Sequence, residues 1–137
     1  MALAETHSET SVGSVVNGRA EVVWRADGNV TRLARLYQHD PIRVLFPQPA
    51  PGDPSTAAIT NTAGGCVGGD RITFHARAEA GAGALIAQQA AEKIYRSTGA
   101  TTTVDVHLQA APRATLEWLP QETILFDTAR LRRHTTL

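Results

Sequence analysis

Four carboxylates of this chain occupy positions at which an acid could do chemistry. Asp70 closes a glycine-rich segment, Glu117 lies among the apolar residues 116–120, Glu122 follows a proline-glutamine pair, and Asp127 opens a turn. One interpretation makes Asp70 and Asp127 turn formers and leaves Glu117 on a solvated strand face. The other places several of these acids along one interior path, where a buried charge would have to be matched by a cation. The residue types alone leave both interpretations open.

Neither the single cysteine nor the histidines complete a catalytic set. Cys66 lies between two glycine pairs, without a nearby histidine or helix start to lower its pKa, which favours a small turn residue over a nucleophile. One cysteine also excludes an intramolecular disulfide and a closed thiolate metal site. His75 and His107 fall on the polar faces of predicted strands, and the other histidines are scattered: His7, His39 and His134. No catalytic set therefore assembles from these residues.

The segment 61–74 requires an unusual backbone. It holds four glycines within six residues: Gly64, Gly65, Gly68 and Gly69. Each glycine in an ordered segment costs roughly 0.5–1 kcal/mol relative to alanine, so positive φ angles or a close approach to bare main chain must require them. A phosphate-binding loop would need a helix after the glycines. Alternation of apolar and polar residues begins at Arg71 instead, which predicts a strand.

Composition excludes several kinds of partner. Lys and Arg total 13 and Asp and Glu total 13, so the net charge is zero and no overall field would attract nucleic acid or an anionic membrane. No apolar run approaches the roughly 20 residues of a membrane span, and the first residues lack the profile of a signal peptide. We expect a cytoplasmic protein with no nucleic-acid or membrane partner.

The alternation of apolar and polar residues predicts an all-β fold. Residues 71–79 and 101–110 alternate with a period of two, and residues 27–29 (Asp-Gly-Asn) have the chemistry of a hairpin turn. Residues 84–91 are consistent with a buried strand or a short helix. Turn signals at a spacing of about ten residues predict nine or ten short strands. We expect stacked antiparallel or mixed sheets, β-helical or sandwich-like, with at most a short helix.

The chain divides into a lead-in and one domain. Residues 1–18 are small and polar and show no periodicity, so we interpret them as a flexible N-terminal lead-in. Residues 19–137 then form a β domain. Residues 129–137 have the pattern of a further strand, and a native chain rarely leaves such an edge unpaired. We expect the domain to be truncated, as the N-terminal part of a longer protein.

Three motifs, in this order, resemble those of urease accessory proteins of the UreD family. They are residues 61–71 (Asn-Thr-Ala-Gly-Gly-Cys-Val-Gly-Gly-Asp-Arg), 89–97 (Gln-Ala-Ala-Glu-Lys-Ile-Tyr-Arg-Ser) and 116–127 (Leu-Glu-Trp-Leu-Pro-Gln-Glu-Thr-Ile-Leu-Phe-Asp). The resemblance covers residues 19–137 and corresponds to the N-terminal half of such proteins. Cys66 departs from the family pattern, because that position is more often aliphatic.

The resemblance implies a scaffold for nickel insertion into apo-urease that is not an enzyme. Such a protein binds UreF, which recruits the GTPase UreG, and an internal passage conducts the ion. It implies no tightly bound cofactor, only nickel in transit. By this resemblance, Asp70 is the first candidate for a residue on the nickel path. Glu117 and Glu122 match motif positions and are further candidate nickel ligands. Acids hold nickel less tightly than a thiolate cluster, which suits transfer rather than storage.

The residues themselves are also consistent with two other functions. The first is a β-sandwich ligand-binding module whose loops, including residues 47–54, hold a sugar or a peptide. The second is an enzyme that uses Cys66. Co-purification with urease and UreF would favour the scaffold, whereas a small-molecule ligand alone would favour the module.

Overall fold

A computed structural model describes residues 15–137 of the chain. That part contains eleven strands and no helix, so it has no helix that could cross a membrane. The expected lead-in lies mostly outside the described residues, and the first strand begins at Asn17. The strands are β1 (Asn17–Asp27), β2 (Val30–His39), β3 (Ile42–Leu45), β4 (Ser55–Asn61), β5 (Arg71–Ala78), β6 (Gly83–Gln88), β7 (Glu92–Ile94), β8 (Thr102–Ala110), β9 (Thr115–Leu119), β10 (Thr123–Leu125) and β11 (Leu131–Thr136).

The strands from β5 onwards stack as successive coils of a β-helix. β5, β8 and β11 pair in parallel within a five-stranded sheet of order β11-β8-β5-β1-β2. β6 and β9 pair in parallel in a four-stranded sheet of order β3-β4-β6-β9, and β7 and β10 form a two-stranded sheet. The coils β5–β7 and β8–β10 each contribute one strand to each of the three sheets, and β11 begins a third coil. The all-β fold expected from the sequence is confirmed, in its stacked and mixed form.

Two antiparallel pairs begin the fold. β1 and β2 form a hairpin whose turn includes Gly28 at a φ of 60°, as the Asp-Gly-Asn sequence predicts. β3 pairs with β4 in the second hairpin. The proline-rich residues between them, 46–54, form no strand, because proline has no amide hydrogen for a ladder.

Residues 83–88 form a strand, which decides between the two structures that the sequence left open. β6 pairs in parallel with β4 on one side and β9 on the other. Ala84 and Ile86 point into the core, and both are almost fully buried. Pairing on both sides therefore outweighs the helix propensity of the alanines.

The core lies between the five-stranded and the four-stranded sheet. Ile72, Phe74 and Ala76 of β5 are buried, as their alternation predicts. The ring of Phe74 stacks on that of Trp118 from β9, with centroids 5.7 Å apart. This contact joins the two sheets across the core.

We expect Ile86→Ala to lower the free energy of unfolding by about 2–5 kcal/mol, because it removes buried methyl groups and leaves a cavity. Ile124→Ala removes the same groups from a side chain that is 41% exposed and should cost about 0.5 kcal/mol. Urea unfolding of both variants measures the difference. Equal losses would show that the core is not where the structure has it.

Candidate functional site

The carboxylate of Asp70 fixes the glycine-rich turn between β4 and β5. The side chain is 2% exposed, and each of its oxygens accepts a backbone hydrogen bond. Val16 N donates to Oδ1 at 3.0 Å, and Val67 N donates to Oδ2 at 2.8 Å. The peptide oxygen of Asp70 accepts from Thr103 N at 2.9 Å. One residue thus ties the start of β1, the turn and β8 together.

This geometry agrees with the interpretation of Asp70 as a turn former. The ion pairs among residues 15–137 do not include Asp70, so two amide groups rather than a cation compensate its charge. Charge-assisted hydrogen bonds of this kind are about twice as strong as neutral ones. The turn is closed further by the buried Thr102, whose hydroxyl donates to Val67 O at 2.8 Å.

The glycines of the turn provide both positive φ angles and close packing. Gly69 has a φ of 93°, in the left-handed region that side chains disfavour. Gly65 is required by close packing, because a Cβ there would lie 2.5 Å from the ring of Tyr95 and 2.9 Å from Lys93 O. The turn therefore packs directly against β7 and the residue that follows it.

A small polar cluster lies where the turn meets β7. Cys66 Sγ donates to Glu92 Oε1 at 3.3 Å, and Asn61 Nδ2 donates to the same oxygen at 2.9 Å. Asn61 Nδ2 also lies 3.6 Å from Cys66 Sγ. The backbone of Cys66 bridges to β7, because its N–H donates to Lys93 O and its C=O accepts from Tyr95 N.

The environment of Cys66 keeps its thiol protonated. The side chain is 1% exposed, and burial raises the pKa of the thiol far above its ordinary value. The carboxylate of Glu92 raises that pKa further through its charge and its hydrogen bond. A nucleophilic cysteine needs the opposite shift. The structure therefore supports a structural role for Cys66 over a catalytic one.

A cavity of about 480 Å³ lies between the two larger sheets, next to this cluster. Its apolar wall comes from both sheets and includes Ile42, Ile59, Ile72, Phe74, Val106 and Trp118. Its polar wall comes from the ends of β4 and β6 and from β7 and β11, and it includes Asn61, Gln88, Glu92, Lys93 and Arg133. Such a mixture of apolar walls and a few polar groups is typical of sites that hold or pass a small ligand.

The three acids predicted to line a path do not converge. Asp70 is buried beside the turn but does not line the cavity. Glu117 on β9 and Glu122 before β10 are both exposed, and the peptide oxygen of Glu122 accepts from Glu92 N at 3.1 Å. Among residues 15–137, no group of three or more His, Cys, Asp or Glu side chains is arranged to hold a metal ion. Their joint role as nickel ligands stays a prediction.

Glu92, the acid that does line the cavity, is not among the site residues predicted from the sequence. Glu92 is separated from Cys66 by 26 residues and from Asn61 by 31. Only the stacking of strands brings these residues together. The signal that could have found Glu92 is its place in the motif at residues 89–97, where it is the one acid.

We expect Asp70→Ala to lower the free energy of unfolding by about 2–4 kcal/mol, because two buried amide groups lose their acceptor. Asp27→Ala is the matched control. Asp27 pairs with Arg32 at 2.7 Å, but both side chains are 57% exposed, so its loss should cost at most about 1 kcal/mol. Urea unfolding compares the two, and a loss for Asp70→Ala no larger than the control would contradict the assigned bonds.

The raised pKa of Cys66 also predicts how stability depends on pH. The unfolded thiol ionises near its ordinary pKa of 9.0, whereas the folded thiol stays protonated. The contribution of Cys66 is therefore fully present below that pH and is lost as the pH rises above it. Urea midpoints should fall less steeply above that pH in Cys66→Ala than in the unchanged chain. If the urea midpoint fell equally steeply with pH in both chains, that result would count against a protonated, buried thiol.

Comparison with known proteins places the described strands within one protein family. The family described as UreD urease accessory protein matches residues 16–137. The UreD of Magnetococcus marinus is 51% identical over 105 residues, which cover 77% of this chain and 36% of the relative. The UreD of Rhodopseudomonas palustris strain BisA53 is 46% identical over 131 residues, which cover 93% of this chain and 45% of the relative.

A third relative, the UreD of Xanthobacter autotrophicus, is 47% identical over 116 residues, which cover 85% of this chain and 39% of the relative. The chain thus spans less than half the length of these curated relatives. The family match covers every strand described above. The chain belongs to the UreD family of urease accessory proteins.

Proposed function

We propose that this chain is part of a scaffold that passes nickel to apo-urease, together with UreF and the GTPase UreG that UreF recruits. The observation that carries the proposal is the family match over residues 16–137. Because the chain spans less than half of its relatives, the partners belong to the whole protein. The complex would act in the cytoplasm, where a lone thiol stays reduced.

The proposed role is binding rather than catalysis. The relatives are named accessory proteins, and the thiol of Cys66 is buried and protonated. Nickel is cargo in this proposal, not a resident cofactor. A conduit must bind its ion firmly enough to admit it and weakly enough to release it. Oxygen ligands meet that requirement better than a thiolate cluster would.

The cavity between the sheets is the part of this chain best suited to such a conduit. Glu92 is the acid on its wall, and Lys93 and Arg133 contribute two positive charges to the same wall. The guanidinium of Arg133 donates to Thr123 Oγ1 at 2.6 Å, which holds it at one side of the cavity. We assign Glu92 as the carboxylate that an ion in the cavity would meet.

The other candidate acids have different parts in the proposal. Asp70 uses one lone pair of each carboxylate oxygen to fix the turn, and Gly64 and Gly65 of that turn line the cavity. Asp70 would thus shape the wall, and any ligand role would use its remaining lone pairs. Glu117 and Glu122 are exposed, so they would meet nickel only at a mouth of the path.

Glu92→Gln in the full-length protein tests the conduit. The amide keeps Oε1 as acceptor for Asn61 and Cys66, so the fold should persist, but the negative charge is lost. If that charge contributes roughly 1.5 kcal/mol to holding the ion, capture weakens about tenfold. We expect less nickel per urease at limiting nickel, with unchanged co-purification of urease and UreF. Metal analysis of the purified urease measures its nickel content.

Asp53→Asn is the control, because it makes the same chemical change at an exposed loop position. Equal nickel loading by Glu92→Gln and the control would remove Glu92 from the path. Failure of the unchanged protein to co-purify with urease and UreF would contradict the scaffold itself. Retention of a small organic ligand in its place would favour a binding module.

A further inference from the structure

The outer face of the five-stranded sheet carries an excess of positive charge. Residues paired in register share a side of a sheet, and the side opposite the buried residues holds these arginines: Arg19, Arg25, Arg32, Arg35, Arg71, Arg77 and Arg132. The acids on or beside it are Glu21, Asp27, Glu79 and Asp105. Lys plus Arg and Asp plus Glu each total 13 in the whole chain, so the excess belongs to this face.

Four of these arginines have no carboxylate partner among residues 15–137. The ion pairs on this face join Glu21 to Arg19 and Arg35, and Asp27 to Arg32. The four arginines outside these pairs are all exposed: Arg25, Arg71, Arg77 and Arg132. A guanidinium presents five N–H donors in a planar fork that matches a carboxylate. These donors can therefore bind the acids of another molecule.

The arginines form two rows across the strands. Arg71 and Arg132 pair with the same residue of β8 and make one row. Arg35 and Arg77 pair with the same residue of β1 and make the other. The two rows are six positions apart along β5, which is about 20 Å at roughly 3.3 Å per residue.

Two acids lie between these rows and decide the kind of partner. Glu21 pairs with position 75 of β5 and Asp105 with position 73. A phosphate backbone laid across the face would be repelled by both carboxylates, whereas a protein surface can place a cation or a hydrogen-bond donor opposite them. We propose that this face docks a protein surface that carries two acidic patches about 20 Å apart.

The shape of the face suits such an interface. A groove of about 520 Å³ opens on it, and Arg35 and Arg77 contribute to its wall. Tyr37 is 45% exposed, and the guanidinium of Arg19 lies 5.7 Å from the centre of its ring. Tyrosine and arginine are enriched in the residues that dominate interfaces. The five strands cover roughly 600 Å², against roughly 800 Å² per partner in a standard interface.

This inference rests on the proposed scaffold role, because it assigns a surface to a partner of that scaffold. The face is separate from the proposed conduit. Phe74 and Ala76 point to the opposite side of β5 and are buried, and the cavity lies on that side. Changes to the outward arginines therefore leave Glu92 in place, so docking and nickel passage can be measured independently.

Arg77→Gln and Arg132→Gln in the full-length protein test the docking face, with one change in each row. Both residues are exposed and outside the ion pairs of residues 15–137, so the urea midpoint should stay unchanged. We expect each variant to weaken binding to the same partner, apo-urease or UreF, about two- to fivefold. The rows are far apart, so the losses should combine to about tenfold in the double variant. Calorimetric titration with each purified partner measures the affinities.

Arg113→Gln is the control, because it makes the same chemical change in an exposed turn between β8 and β9. Affinities of both variants equal to that of the control would overturn the docking face and leave the scaffold intact. If the unchanged protein bound neither apo-urease nor UreF, the scaffold would fail and this assignment with it. Weakened binding of a DNA duplex, with both protein partners bound as before, would make the face a nucleic-acid site instead.

Discussion

The buried carboxylate of Asp70 is the constraint on which the rest of this arrangement depends. A carboxylate inside the protein is tolerated only when its charge is compensated, and here Val16 N and Val67 N supply that compensation. The first of these amides precedes β1 and the second belongs to the glycine turn. Satisfying one charge therefore aligns the first hairpin with the first coil. The turn so fixed also forms part of the cavity wall.

The repeat of the coils determines which side chains meet. β5, β8 and β11 begin at Arg71, Thr102 and Leu131, so equivalent positions recur about thirty residues apart along the chain. His75 and His107 are one such pair, separated by 32 residues and adjacent in the sheet. Stacking in parallel register thus creates clusters that have no counterpart in local sequence.

This repeat explains what the sequence could and could not predict. The buried face of β5 followed from its alternation, and the exposure of Glu117 followed from its place opposite Trp118 on β9. The turn-forming role of Asp70 was one of two interpretations that local chemistry left open, and only the bonds from Val16 N and Val67 N show it. β6 was ambiguous because its alanines suit a helix, and only pairing on both sides decides it. The contact between Cys66 and Glu92 needed the coil register, which no local pattern contains.

The two faces of the five-stranded sheet carry different chemistry, and the sheet keeps them apart. Its inner face lines the cavity on whose wall Glu92 lies, and its outer face carries His75 and His107. β5 pairs with β8 without interruption from Arg71 to Ala78, so the ladder leaves no opening through which an ion could cross. An ion on the outer side of the sheet could therefore enter the cavity only around an edge of the sheet, where the strand pairing ends.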